Sequence, residues 1–422
     1  MRLLHTSDWH IGRNLYGRRR YEEFEAFLNW LAELLEREGV EALLVAGDVF
    51  DTGTPGNRAQ ELYYRFLCRV AESSCRHVVV IAGNHDSPSF LEAPKELLRA
   101  LDVHVVGSAS GDPRDEVLTL HDERGRPELI VCAVPYLRDR DLRVSEAGES
   151  LEDKTRSLLE GLRDHYAAVG EEAERRRREL GEHGDDLPIV GMGHLFAAGG
   201  ETFGDDGVRD LYVGSLVRVA LDAFPACFDY LALGHLHSPQ RVKGCETARY
   251  SGSPIPMGFG EAGQRKSVCL AELQGREVSV RLLEVPLFQE LERLRGDWKG
   301  ISTRLRELKE AGSCAWLEVL YEGAELMPDL RERLEDELKG TELELLKVGN
   351  ERAVESALGR IREGETLRDL DESEAFERLL ESREVPEAQR PDLRLSYQEV
   401  LASLYDDDSF DEPDGSQGGE GI

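Results

Sequence analysis

The sequence predicts an α/β fold, because short buried strands alternate with helices and polar ligand-type residues follow the strands. Five short apolar runs in the first 240 residues are each followed within a few positions by Asp, Asn or His. Runs that are apolar on both faces are typical of strands covered on both sides. Helical spacing of apolar residues predicts helices between these strands, over residues 21–38, 58–72 and 89–101.

The strand ends carry metal-type ligands. Because the carboxyl ends of neighbouring strands lie on one edge of a sheet, residues far apart in sequence can meet there. The five clusters are Asp8-Trp9-His10, Gly47-Asp48, Gly83-Asn84-His85-Asp86, Gly193-His194 and Gly234-His235-Leu236-His237. A single Gly-Asp or Gly-His is usually structural, but five such clusters at five strand ends predict one shared site.

Seven candidate ligands are too many for one ion, so a dinuclear site is expected. We assign Asp8, His10, Asp48 and His237 to the first ion, and Asp48, Asn84, His194 and His235 to the second, with Asp48 as the bridge. Oxygen and imidazole ligands without sulfur suit manganese, iron or zinc, and manganese is the first choice. Two ions about 4 Å apart can hold a phosphate and activate a shared water, which predicts phosphoester hydrolysis.

His85 is the predicted general acid. It follows the candidate ligand Asn84, so its side chain should point away from the ions, and imidazole titrates near neutral pH. Asp51 or Asp86 could hold its proton-bearing nitrogen. The other histidines are interpreted as structural: His5, His77, His104, His121, His165 and His183.

The composition is strongly acidic, with 84 Asp and Glu against 52 Lys and Arg and a net charge of −32. Taken alone, this balance disfavours nucleic acid and would suit a protein working in concentrated salt. The charge is spread along the chain, so a local basic face remains compatible with it. Seven scattered cysteines without a C-x-x-C pair favour a cytoplasmic protein over a disulfide framework, and no apolar stretch approaches the length of a membrane span.

The motif order resembles that of the calcineurin-like metallophosphoesterases: D-x-H, G-D-x-x-D, G-N-H-D, G-H and G-H-x-H. The sequences around these motifs, at residues 1–12, 46–53, 82–87, 208–214 and 250–256, are similar to those of the nuclease subunits of bacterial SbcCD complexes. Protein phosphatases of the superfamily instead carry Arg-Gly after the second Asp and Glu after Asn-His, where this chain has Thr52-Gly53 and Asp86.

The resemblance implies a β-sandwich flanked by helices and a manganese-dependent DNA nuclease. The implied activities are 3′-to-5′ exonuclease on duplex ends and endonuclease on single strands and hairpins. It also implies a homodimer that binds an SMC-like ABC ATPase, SbcC, in a heterotetramer. The chain has no Walker A sequence, so ATP would be used by the partner.

Contacts to DNA phosphates are assigned to the arginines that follow the first ligand pair, although a solvated loop and helix start explain them equally well. These are Arg13, Arg18, Arg19 and Arg20.

Four segments are expected along the chain. Residues 1–285 would form the nuclease domain, and 286–365 a small α+β domain that the resemblance identifies as a capping domain for DNA. Two short amphipathic helices in 366–405 would bind the coiled coil of the partner. The acidic, Gly-rich residues 406–422 should be disordered.

Two other functions compete with the nuclease. A phosphatase or cyclic-nucleotide phosphodiesterase could use the same metal site, but it would need neither the capping domain nor the partner helices. A structural protein that bridges DNA ends could carry a decayed site, but such a site should have lost at least one of the seven ligands.

Overall fold

The structure is a computed structural model, and it describes residues 1–143, 149–181, 184–197, 219–323, 327, 329–350 and 390. The chain divides into two compact units, Met1–Leu320 with Asp329–Gly349, and Tyr321–Pro328 with Asn350–Ile422. The predicted helices in 366–405 and the predicted tail lie outside the described residues, apart from residue 390.

Two six-stranded sheets form the centre of the first unit. The strands of the first sheet are β1 (Arg2–Thr6), β4 (Ala42–Ala46), β5 (His77–Ile81), β6 (Val103–Val106), β13 (Ser267–Gln274) and β14 (Glu277–Glu284). They lie in the order β14-β13-β1-β4-β5-β6, in which β1, β4, β5 and β6 are parallel and β13 and β14 are antiparallel additions.

The strands of the second sheet are β7 (Val117–His121), β8 (Pro127–Ala133), β9 (Ile189–His194), β10 (Tyr230–Gly234), β11 (Gln240–Arg241) and β12 (Ala248–Tyr250). They lie in the order β11-β12-β10-β9-β8-β7, with β8, β9, β10 and β12 parallel and an antiparallel strand at each edge.

Alternate residues of each central strand face opposite sides, which explains why the strands read as continuous apolar runs. Leu44 and Val79 of the first sheet pack between the sheets with Val190 and Ala232 of the second. Their neighbours in the strands face outward and are covered by helices. The result is a β-sandwich with helices on both faces, as the resemblance implied.

The covering helices follow the apolar spacing of the sequence. On the first sheet, α1 (Tyr21–Glu38) has the predicted bounds and α2 (Asn57–Ala71) differs from its prediction by one residue at each end. Helix α1 ends at Gly39, whose left-handed φ of 62° lets its N–H cap the last turn. On the second sheet lies α6 (Leu151–Glu179), and a short helix α5 (Asp139–Leu142) precedes it.

The polar end of α6 is braced by ion pairs between side chains one turn apart. Arg175 pairs with Glu172 and Glu179, and Arg176 pairs with Glu172, all at helical spacing.

The single helix predicted over 89–101 is wrong. The structure has two short helices there, α3 (Pro88–Glu92) and α4 (Lys95–Arg99), with Pro94 between them. Proline lacks the N–H that continues a helix and restricts the residue before it, so the chain breaks at this point.

A three-stranded sheet follows the sandwich. Its strands are β15 (Leu291–Gly296), which the sequence did not predict, β16 (Trp316–Tyr321) and β17 (Glu344–Asn350), in the order β15-β16-β17. Two helices accompany the sheet: α7 (Trp298–Glu310) buries Leu305 and Leu308, and α8 (Leu330–Leu338) buries Leu330, Leu334 and Leu338.

This small sheet packs on a two-stranded hairpin, β2 (Asn14–Leu15) and β3 (Arg18–Arg19), which follows the first ligand cluster. Leu15 and Phe259 form an apolar cluster with Leu291 and Trp316. Along the described ranges, no helix is long and apolar enough to cross a membrane.

Candidate dinuclear metal centre

The loops after β1 and β4 are joined by main-chain hydrogen bonds that bring the first two ligand clusters together. The N–H of Asp8 donates to the carbonyl of Gly47 at 3.0 Å, and the N–H of His10 donates to that of Asp48 at 2.9 Å. Loops after β5, β9 and β10 reach the same edge of the sandwich. All seven predicted ligands therefore lie in one region.

Four of these residues have left-handed backbone conformations, which are unusual for residues other than glycine. The φ angles are 54° at Asp8, 47° at His10, 50° at Asp48 and 104° at His235. Such conformations cost about 1 kcal/mol or more each and concentrate at functional sites, where they aim side chains that regular strands would turn aside.

Glycines before the ligands leave room for close approach. A Cβ on Gly83 would lie 2.1 Å from Oδ1 of Asp48, and one on Gly47 would lie 2.3 Å from Nδ1 of His194. The Gly-ligand pairs in the sequence are thus a packing requirement of this site.

The first donor group consists of Asp8, His10, Asp48 and His237. The Nε2 atoms of His10 and His237 lie 3.2 Å apart, and Nε2 of His10 is 3.6 Å from Oδ2 of Asp48. Ligand atoms of Asp8, His10 and His237 all lie within 4.8 Å of one another. All four side chains are buried.

The second donor group consists of Asp48, Asn84, His194 and His235. Oδ1 of Asn84 lies 3.1 Å from Nε2 of His194 and 3.0 Å from Nδ1 of His235. Oδ2 of Asp48 lies 3.3 Å from Nε2 of His194. The same carboxylate oxygen therefore faces both donor groups, as expected of a bridging ligand.

These spacings fit divalent metal ions. Two nitrogens bound about 2.1 Å from one ion at angles of 90–109° lie roughly 3.0–3.4 Å apart, and the two Nε2 atoms of the first donor group are separated by 3.2 Å. The donors are imidazole nitrogens and carboxylate and amide oxygens, a set that suits manganese, iron or zinc.

The electrostatics of the site favour positive charge beside Asp48. Burial by itself lowers the pKa of His194, but the adjacent Asp48 carboxylate outweighs it and raises the pKa to about 9. Burial, followed by the charge of His194, lowers the pKa of His235 to about 3, so this imidazole is neutral and has a free lone pair.

His85 lies at the rim of the first donor group, half-buried. Its main-chain N–H donates to Oδ1 of Asp48 at 2.9 Å, and its ring stands edge-on to that of His10 at 4.8 Å. Nδ1 of His85 lies 3.0 Å from the main-chain carbonyl of Asp51. Because a carbonyl can only accept, Nδ1 carries a hydrogen and Nε2 is the nitrogen left for substrate.

The two carboxylates predicted to hold His85 have other partners. Asp86 accepts hydrogen bonds from the N–H groups of Val49, Phe50 and Gly83 at 2.9–3.1 Å, so it joins the loop of Asp48 to the loop of Asn84. The Asp51 carboxylate pairs with Arg13 at 3.1 Å. The expectation is corrected: the Asp51 main chain orients His85, and Asp86 is a clamp between loops.

The four predicted DNA-binding arginines differ in accessibility. Arg20 is buried, pairs with Glu23 at 2.7 Å and lies over the Phe24 ring, so its prediction as a phosphate contact is wrong. Arg13 is partly buried against Asp51, while Arg18 and Arg19 are exposed on the hairpin. Helix packing of the first turn of α1, which the local sequence does not reveal, draws Arg20 inward.

The sequence did not predict the two charged residues that contact His237 on the side away from the other ligands, Glu261 and Lys266. Nδ1 of His237 lies 3.3 Å from Oε1 of Glu261, and Oε2 of Glu261 pairs with Lys266 at 2.5 Å. Burial raises the pKa of Glu261, but Lys266 and His237 outweigh it and lower the pKa to about 2. The one available signal was a lysine directly before the largely apolar strand β13.

Comparison with known proteins agrees with this geometry. The family model described as calcineurin-like phosphoesterase matches residues 1–239, and the model described as Type 5 capsule protein repressor C-terminal domain matches residues 287–384. A dimetal phosphatase structure from Danio rerio aligns with 66% of this chain and 98% of its own at 14% identity, with a TM-score of 0.35, which is too low to support an inference.

Several relatives are named as the SbcD component of the nuclease SbcCD. The Escherichia coli K12 protein is 36% identical over 96% of this chain and 98% of its own length. The Rhodobacter capsulatus protein is 40% identical over 65% of this chain and 67% of its own, and the Bacillus subtilis protein is 36% identical over 66% and 67%. The chain belongs to the calcineurin-like phosphoesterase family and, within it, to the SbcD family of SbcCD nuclease components.

Proposed function

We propose that this chain is a metal-dependent DNA nuclease that hydrolyses phosphodiester bonds at the two donor groups. The observation that carries the proposal is the shared Asp48 oxygen, which lies 3.6 Å from His10 of one group and 3.3 Å from His194 of the other. Bound divalent ions, with Mn²⁺ as the first choice, would supply Lewis-acid activation of water and phosphate. The ligand roles of all seven residues are part of this proposal.

His85 acts in this proposal as the general acid. Its Nδ1 hydrogen is held by the Asp51 carbonyl at 3.0 Å, which leaves Nε2 for the leaving oxygen. In the imidazolium form His85 carries a second proton on Nε2, and this is the proton that it would transfer. As the bond between phosphorus and the leaving oxygen breaks and the bond to the water oxygen forms, that proton neutralises the leaving alkoxide. Asp86 keeps the loops of Asp48 and Asn84 in register.

The names of the relatives support nuclease activity. As the resemblance implies, we propose DNA as the substrate, with 3′-to-5′ exonuclease activity on duplex ends and endonuclease activity on single strands and hairpins. The same names support a complex with a second protein, which we propose to be the SMC-like ATPase SbcC, bound by a homodimer of this chain. Seven free thiols support the cytoplasm as the compartment.

The domain assignment belongs to the same proposal. Residues 286–365 would position DNA as a capping domain, and 366–405 would bind the partner. A match of the second family model to 287–384 supports a boundary near residue 286.

The test compares a hairpin DNA with a phosphomonoester in the presence of Mn²⁺, for the wild-type protein and His85→Gln. We expect DNA cleavage by the wild-type protein, and a loss of about 100-fold or more in the variant with bound metal retained. Turnover of the phosphomonoester without DNA cleavage would refute the nuclease and favour a phosphatase.

A further inference from the structure

A buried ion pair lies directly behind the metal-site histidine His237. Glu261 and Lys266 are 0% and 4% exposed. Burying a carboxylate and an ammonium costs several kcal/mol unless both are paired and hydrogen-bonded. Such a pair deep in a protein therefore calls for a structural or functional reason.

The two oxygens of Glu261 have different partners. Oε2 accepts from the Lys266 ammonium at 2.5 Å and from the N–H of Met257 at 3.0 Å. Oε1 lies 3.3 Å from Nδ1 of His237. One oxygen thus anchors the carboxylate while the other faces the imidazole.

Lys266 also holds the main chain of His237. Its ammonium donates to the His237 carbonyl at 2.9 Å and to the Ser253 hydroxyl at 3.1 Å, and the N–H of Ser253 donates to the same carbonyl at 3.0 Å. Both the backbone and the ring of His237 are therefore fixed by this cluster.

We propose that Glu261 is a positioning residue that orients the His237 imidazole toward the first metal ion, with Lys266 as the counter-charge. An acceptor at Nδ1 fixes the tautomer in which Nε2 has the free lone pair, and Nε2 of His237 faces Nε2 of His10 at 3.2 Å. Carboxylates behind ligating histidines commonly raise metal affinity 10–100-fold. The inference rests on the metal site of the proposed function.

The test is a Mn²⁺ titration of the full chain, read from the EPR signal of free Mn²⁺, which needs no nuclease activity. Glu261→Gln keeps the shape of the side chain and removes its charge. We expect it to weaken one of the two binding steps 10–100-fold and to change the other less than about threefold. A purely structural pair would lower thermal stability without separating the two steps.

Two further variants complete the design. Glu261→Gln with Lys266→Met leaves no unpaired buried charge, so it should fold even if the single variant does not, and it should show the same selective loss. Glu116→Gln is the matched control, since Glu116 is a buried carboxylate bonded to a different histidine, His165, at 2.7 Å. It should leave both steps unchanged.

Unchanged affinities in the folded Glu261 variants, or an equal weakening of both steps, would overturn the positioning role. A wild-type protein that binds no divalent metal would instead refute the proposed function itself. The two failures are therefore distinguishable.

Discussion

His194 of the second donor group and His237 of the first are held in place by different kinds of acceptor. In the second group, Nδ1 of His194 lies 2.9 Å from the main-chain carbonyl of Ala46. In the first group, Nδ1 of His237 faces the carboxylate of Glu261 instead. A carbonyl belongs to the strand and survives most substitutions, whereas a carboxylate can be removed by one. We therefore expect the first donor group to be the more easily altered by mutation.

The largest expected effect on stability concerns Asp86, which joins the loops of Asp48 and Asn84 through main-chain hydrogen bonds. In Asp86→Asn, an amide group replaces an oxygen that accepts from buried N–H groups of Val49 and Gly83. We expect the free energy of unfolding to fall by about 2–3 kcal/mol, because buried N–H donors lose their acceptor. Urea denaturation measures this loss.

Asp229→Asn is the matched control for that measurement. The Asp229 carboxylate accepts one N–H, from Ile189 at 2.9 Å, and pairs with Arg276 near the surface. We expect a loss of about 1 kcal/mol or less. Equal losses in the two variants would contradict the clamp.

A third buried histidine, His5, extends the comparison of His194 with His237. Its described hydrogen-bond partners include no carboxylate. His5 lies 3.0 Å from the Tyr230 hydroxyl and 3.1 Å from the Leu233 carbonyl, and burial lowers its pKa to about 3. Below the ordinary pKa of about 6.5, the unfolded chain binds a proton that the folded chain does not. His5 therefore contributes stability that is present above pH 6.5 and is lost as the pH falls toward 3.

Unfolding free energies at pH 7 and pH 5 test this. Wild-type protein should lose about 2 kcal/mol more than His5→Gln over this interval. An identical pH dependence in the two proteins would mean that folding does not lower the pKa of His5, so that the folded protein binds this proton at pH 5.

The smallest expected effect concerns the hairpin next to the first donor group. Arg19→Ala should weaken DNA binding a few-fold. It should also reduce the steepness of the plot of log affinity against log salt concentration by about one. Arg20→Met should leave this slope unchanged and reduce stability, since Arg20 is buried against Glu23. Binding assays over a range of salt concentrations check both; a lower slope for the Arg20 variant alone would reverse the assignment.

The sequence predicted what depends on local pattern. Apolar runs followed by Gly-ligand pairs indicated the strands and the seven donors, because a buried strand and the turn after it are encoded within ten residues. The break at Pro94 was also visible locally and was missed. Glu261 and β15 depend on which distant segments pack against them, and periodicity carries no such information.

The role of Glu261 illustrates this limit most clearly. It follows His237 by 24 residues and reaches it because the chain returns to the first sheet at this point, where the next strand, β13, pairs with β1. In contrast, Asn84 and His194 were found from their own motifs, although 110 residues separate them.

The most direct test of the central claim is the EPR spectrum of the protein loaded with two equivalents of Mn²⁺. One centre with Asp48 shared between both ions predicts an exchange-coupled pair, and Asp48→Asn should abolish the coupling. Two magnetically isolated ions in the wild-type protein, or a coupling that survives in Asp48→Asn, would contradict a dinuclear centre bridged by Asp48.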